Sequence, residues 1–119
     1  MAFEETLKEL KAAGAAGVAV VSRDGTILGA DLGPEISRET FSIMCATIYG
    51  ASMTVSAELR RPNPNRITLE SAQGRVVIAE AGRRALVVMI LSSAMDADKL
   101  STILPPILSQ VAKETGRVT

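Results

Sequence analysis

The 119-residue sequence contains no histidine and no tryptophan, one cysteine, and only three aromatic side chains, Phe3, Phe41 and Tyr49. Without histidine the chain lacks the commonest general base, the commonest metal ligand and every triad built on an imidazole. The lone Cys45 can close no intramolecular disulfide and no CxxC site, which fits a reducing compartment. It lies in an apolar stretch with no histidine or lysine nearby, so it reads as a buried structural thiol rather than a nucleophile. Charge of either sign in excess is also missing: thirteen basic and thirteen acidic residues cancel. A nucleic-acid binder carries a basic surplus and stacking aromatics, and an anionic membrane surface calls for a polybasic run. Neither is here. The start, Met1-Ala2-Phe3-Glu4-Glu5, carries acid where an export signal carries base, so the expected location is cytoplasmic. No catalytic residue, metal or cofactor is expected.

What is present suits a single domain of 119 residues. Hydrophobic residues make up 47%, so with aromatics this scarce the core must come from Val, Ile, Leu, Met and Ala. Residues 2–13 place Phe3, Leu7 and Leu10 at helical spacing among charged positions, with Gly14 as a stop. Two apolar runs, 16–22 and 26–32, flank Asp24-Gly25, a strong hairpin signal. A long helix is predicted from near Arg38 to about Leu59, with Ser37 or a neighbour as its cap. The Arg61-Pro62-Asn63-Pro64-Asn65 segment must be a loop. Three strands follow, at 66–71, 75–82 and 84–92. The last holds ALVVMIL (85–91), apolar on both faces yet far short of the ~20 residues of a membrane span, which predicts a central strand covered on both sides. A final helix starts near Asp96 or Asp98, with a kink or restart expected at Pro105-Pro106. The order α-β-β-α-β-β-β-α, with five antiparallel strands and three helices to cover them, gives an α+β domain in two or three layers.

The middle helix carries the functional argument. Eighteen residues between Glu39 and Glu58, TFSIMCATIYGASMTVSA, contain no charge. At 100° per residue, Phe41, Met44, Cys45, Ile48, Ser52, Val55 and Leu59 share a face expected to lie on the sheet. Ile43, Ala46, Thr47, Gly50, Thr54 and Ala57 share the opposite face. A surface helix of a monomer usually shows Lys and Glu to water, and this one shows small, weakly polar groups. Ala46, Gly50 and Thr54 form a small-residue ridge that permits close approach of a second helix. The alternatives, complete burial inside one small protomer or a membrane helix, fit less well. A helix shared across a two-fold dimer fits best. Ser42, Tyr49 and Met53 on the flank, rimmed by Arg38, Glu39 and Arg60, then form a candidate partner-binding patch with the makeup of a protein interface.

Other segments weigh less. Gly14-Ala15-Ala16-Gly17 lacks the Lys-Ser/Thr ending of a phosphate loop and reads as a connector. Arg60, Arg61 and Arg66 could hold an anionic partner but read more simply as a solvated loop. Glu70 and Glu80 read as exposed strand positions rather than a catalytic pair.

Two segments, GVAVVSRDGTILGADL and RVVIAEAGRRALVVMILSSAMDADKLSTIL, together with the element order, give the chain a resemblance to the roadblock/dynein light chain family over nearly its whole length. The resemblance implies profilin-like layering and a homodimer in which the middle helices pack together. It also implies pairing of the third strands, here through Ile67 and Leu69, into one continuous sheet. Family members are not enzymes; several bind and regulate small Ras-like GTPases, and others are scaffold or motor-complex subunits. The implied function is a dimeric protein-interaction module whose partner is a small Ras-like GTPase or another roadblock-like protein. The double proline departs from the family pattern. The alternative is a small-molecule sensor of similar layering, which needs a cavity with aromatic or polar anchors.

Overall fold

A computed structural model describes residues 3–92 and 97–116. The elements are α1 (Glu4–Ala12), β1 (Gly17–Ser22), β2 (Ile27–Asp31), α2 (Arg38–Glu58), β3 (Arg66–Ser71), β4 (Gly74–Ala81), β5 (Ala85–Ser92) and α3 (Ala97–Gly116). This is the order read from the sequence, with boundaries within two residues. The strands form one antiparallel sheet in the order β2-β1-β5-β4-β3.

Residue parity divides the core. Val18 and Val20 of β1, Val77, Ala79 and Ala81 of β4, and Ala85, Val87, Met89 and Leu91 of β5 point to one face. There they meet Phe3 and Leu10 at α1 and Leu100, Leu104, Ile107 and Val111 of α3. Ala19, Val21, Ile78, Leu86 and Val88 point to the other face and meet Cys45, Ala46 and Tyr49 of α2. β5 lies mid-sheet with both sets buried, which is why its sequence shows no alternation. Burying each large aliphatic side chain of this kind contributes roughly 1.5–3 kcal/mol, so the three-layer arrangement follows from the strand pattern.

Local signals set the corners. Gly14 stands at φ 116 past the end of α1, where Gly14 N–H bonds Lys11 O and Ala15 N–H bonds Leu10 O. That pair of bonds is a Schellman stop. In the β1–β2 turn the Asp24 carboxylate accepts from the Ser22 hydroxyl and from Thr26 N–H at 3.1 Å. These bonds, the one from Ser22 first, hold its pKa below the usual carboxylate range. Gly25 has φ 94, and a Cβ there would stand 2.9 Å from Ile43 Cα, so only glycine lets this turn sit beneath α2.

The last helix has no restart at the double proline, one of the two outcomes expected there. Ala97–Gly116 continues through Pro105 and Pro106. The two rings deprive the Ser101 and Thr102 carbonyls of helical donors. All four of these residues are exposed, so water can serve the carbonyls, while Leu104 and Ile107 keep the helix on the sheet. The candidate cap Asp96 lies outside the described residues, and Asp98 falls in the first turn.

Candidate protein-interaction surface

The rotation of α2 decides which residues can meet a partner. Its buried residues are Ser42, Cys45, Ala46 and Tyr49, with Met53 half-buried beside them. Of the face predicted to lie on the sheet, Cys45 does so and Phe41, Ile48 and Ser52 are half-buried. Met44, Val55 and Leu59 are instead exposed, at 49%, 60% and 56%. The helix is turned by about one residue, roughly 100°, from the expected setting. In a stretch without charge, neither face is marked as wet. A polar contact settles the matter.

That contact is centred on Tyr49. Its ring is buried, and its hydroxyl reaches Pro64 O at 2.9 Å and the Glu80 carboxylate. The Arg23 guanidinium lies 4.7 Å above the ring, 3.6 Å from Glu80 Oε2, and donates to Gly82 O at 2.7 Å. Burial, reinforced by the Glu80 carboxylate, raises the Tyr49 pKa, against the opposing pull of Arg23. The cluster ties α2, the β1–β2 turn, the loop before β3, β4 and the β4–β5 turn into one unit. Glu80 is therefore no exposed strand position; it is half-buried and serves Tyr49 and Arg23. A tyrosine flanked by apolar residues was the available signal, but spacing alone could not join it to Arg23 or to a Glu80 read as exposed.

Two of the candidate partner-binding residues must be corrected accordingly. Ser42 (0% exposed) and Tyr49 (1%) lie under the helix and present nothing to a partner. Met53 is half-buried with Sδ 3.8 Å from Arg23 Nη1. Arg60 is exposed and adopts φ 56, closing α2 as its left-handed terminal residue. There Arg60 N–H bonds Ala57 O and Arg61 N–H bonds Ser56 O.

Among the candidate dimer residues, Ala46 is buried against the sheet, while Ile43, Thr47, Gly50, Thr54 and Ala57 are exposed. Added to Met44, Val55 and Leu59, they make the outer face of α2 an uncharged, largely apolar strip. At Gly50 a Cβ would find nothing within 4 Å. On β3, Ile67 is half-buried under α2 and Leu69 is 42% exposed on the same face. β3 is an edge of the sheet, and its Ile67 packs into the same core cluster as Cys45, Ala46 and Tyr49 of α2.

Of the anchors the sensor alternative needs, the depressions on the described surface supply polar groups but few aromatics. One depression of about 720 Å³ lies between α3 and the start of β3 and is lined by Pro64, Asn65, Arg66, Ala79, Glu80, Ser101, Leu104, Pro105 and Leu108. No aromatic residue lines it. Among the described residues no cluster of His, Cys, Asp or Glu is placed to hold a metal ion, and no helix is long and apolar enough to cross a membrane.

A sequence model of the Roadblock/LC7 domain matches residues 2–91. The chain belongs to the Roadblock/LC7 family. Two uncharacterised proteins of Methanocaldococcus jannaschii are each 28% identical to this roadblock domain over 88 residues, 73% of this chain and 77% of theirs. Among solved structures, MglB of Myxococcus xanthus superimposes with a TM-score of 0.90 at 13% identity, covering 99% of this chain and 90% of that one. The gliding protein MglB of Thermus thermophilus gives 0.80 at 17% identity, covering 98% and 87%. Profilin II of Acanthamoeba castellanii gives 0.64 at 8% identity, covering 95% and 98%, so the layering is shared with profilins. At these identities the structures speak for the fold alone.

Proposed function

We propose that this roadblock domain is a non-enzymatic homodimer that serves as a protein-interaction platform, with a small Ras-like GTPase or another roadblock-like protein as its partner. One observation carries the reading: the outer face of α2 exposes Ile43, Met44, Val55 and Leu59 with no charge between Glu39 and Glu58. Exposed apolar surface of this extent, in a domain whose sheet also has an open edge strand, is the mark of an association site. A two-fold axis beside α2 and β3 covers it by packing helix on helix and strand on strand, and a closed dimer is the commonest symmetric arrangement. The dimer interface so formed uses Ile43, Thr47, Gly50, Thr54, Ala57, Ile67 and Leu69, joined by Met44, Val55 and Leu59, and no longer includes Ala46.

The partner surface shifts with the helix. Ser42 and Tyr49 give it up, leaving the exposed ends of the paired helices, with Arg38 and Glu39 at one end and Arg60 at the other. The Arg23–Tyr49–Glu80 cluster supports that platform from below and takes no part in chemistry. Any effect on a GTPase therefore arises by repositioning the GTPase's own groups. Titration calorimetry against the host's small GTPases, each loaded with either nucleotide, tests the proposal. Binding by at least one, weakened by Arg60→Glu, supports it; silence from all of them removes the GTPase and leaves the dimer.

A further inference from the structure

β3 is an edge strand, and the direction of its free backbone groups can be worked out. Arg66 stands opposite Ala79, and one step earlier Glu80 N–H donates to Asn65 O at 2.9 Å. In an antiparallel ladder, opposed residues that bond each other alternate with opposed residues that do not. Asn65, Ile67 and Leu69 therefore turn their N–H and C=O toward β4, and Arg66, Thr68 and Glu70 turn theirs to the open edge. The side chains alternate in step. Ile67 and Leu69 stand on the α2 face, opposite Ile78 and Val76, while Arg66, Thr68 and Glu70 stand exposed on the α3 face. Neither Arg66 nor Glu70 forms an ion pair with a described residue.

We propose that a second copy of this chain pairs with β3 in one particular register, with the two-fold axis passing through Thr68. Arg66 then faces Glu70 of the partner subunit, Thr68 faces its own counterpart, and Ile67 faces Leu69 of the partner subunit. The proposal rests on the dimer reading above and specifies how its strands align. A two-fold perpendicular to the sheet keeps each face on its own side, so residues of like parity must oppose one another, and the options are few. An axis through Ile67 sets Glu70 against Pro64 of the partner subunit, which has no N–H to offer. An axis through Leu69 leaves Arg66 beside the β3–β4 turn. Axes through Arg66 or Glu70 oppose like charges, which is destabilising. Only the axis through Thr68 uses all three outward donors and acceptors, pairs opposite charges twice, and covers the exposed Leu69.

This register makes Arg66 and Glu70 a self-recognition code, which charge reversal can read. Arg66→Glu alone opposes two glutamates, and Glu70→Arg alone opposes two arginines, each at both ends of the paired strands. Each single variant should raise the dimer dissociation constant roughly tenfold or more, since two attractions become two repulsions. Mixing the two variants restores both pairs, so native mass spectrometry should find the mixed dimer well above its statistical share. The doubly reversed R66E/E70R chain should dimerise with itself as the unmodified chain does. Both positions are exposed, and circular dichroism of each variant checks that the fold is kept. Single variants that dimerise as tightly as the unmodified chain, or a mixture at the statistical 1:2:1 ratio, overturn the register while leaving the dimer standing. An unmodified chain that stays monomeric at about 100 µM overturns the dimer, and the register with it.

Discussion

At Gly50, the stability of one protomer and the stability of the dimer pull apart, which makes Gly50→Arg the most informative single substitution. Gly50 sits mid-way along α2, exposed, with no atom within 4 Å of a built Cβ. Within one protomer an arginine therefore clashes with nothing and replaces the second-worst helix former by a good one, a gain of about 0.7 kcal/mol. For a domain of this size that raises the melting temperature by about 3 °C. Within the proposed dimer the same side chain faces the other helix, and the two-fold axis brings in two such guanidinium groups. An unpaired buried charge costs about 3–5 kcal/mol, so the dimer should weaken by at least about a hundredfold. Sedimentation velocity over a concentration series reads the dimer, and thermal unfolding at a concentration where both proteins are monomeric reads the protomer, because dimerisation itself raises apparent stability. The expected result is a folded monomer of about 12.5 kDa, slightly more heat-resistant than the unmodified monomer. If the variant sediments with the same mass as the unmodified protein throughout, the outer face of α2 meets water in solution and the interface argument fails.

Three further outcomes follow from particular contacts. Tyr49→Phe removes the hydroxyl shared by Pro64 O and Glu80, and should lower stability by about 1–3 kcal/mol in urea unfolding without exposing new charge. An unchanged midpoint would mean that the cluster contributes nothing. Arg60 holds a left-handed conformation without being glycine, so Arg60→Gly should stabilise by about 0.5–1 kcal/mol, less whatever the freer unfolded chain takes back; a loss of stability would reveal a packing role for its side chain. Burial pushes the Cys45 thiol up to about 11, above the ~8.5 of an unfolded cysteine. A raised folded value favours the protonated form in the fold, so this contribution is complete below about pH 8.5 and is lost as pH rises toward 11. Accordingly iodoacetamide should fail to alkylate the native protein at pH 8 and succeed once urea unfolds it.

Much of this protein was legible in the residues themselves. Alternation and turn chemistry placed all five strands, because side-chain period and glycine stereochemistry are local properties. Asp24-Gly25 marked its hairpin, Gly14 its helix stop, and ALVVMIL its place in the middle of the sheet. The missing charges of α2 set it apart from an ordinary solvent-facing helix, and its outer face is indeed uncharged and largely apolar. The run through Pro105-Pro106 was not legible, because a helix held to a sheet by Leu104 and Ile107 tolerates two lost hydrogen bonds that water can replace. Nor was the rotation of α2. With small and apolar residues all around the helix, the sequence pattern had no preferred side, and about one residue of rotation exchanged Met44, Val55 and Leu59 for Ser42, Ala46 and Tyr49. The choice was made by groups far apart in the chain: a phenol that needs a buried acceptor found Glu80 and Pro64 O, and Arg23 closed over its ring. Sequence alone thus determined the elements, their order and the existence of an uncharged helix, all matters of local periodicity. Which side of that helix meets the sheet, and so which residues a partner can touch, depended on polar contacts that only tertiary packing brings together.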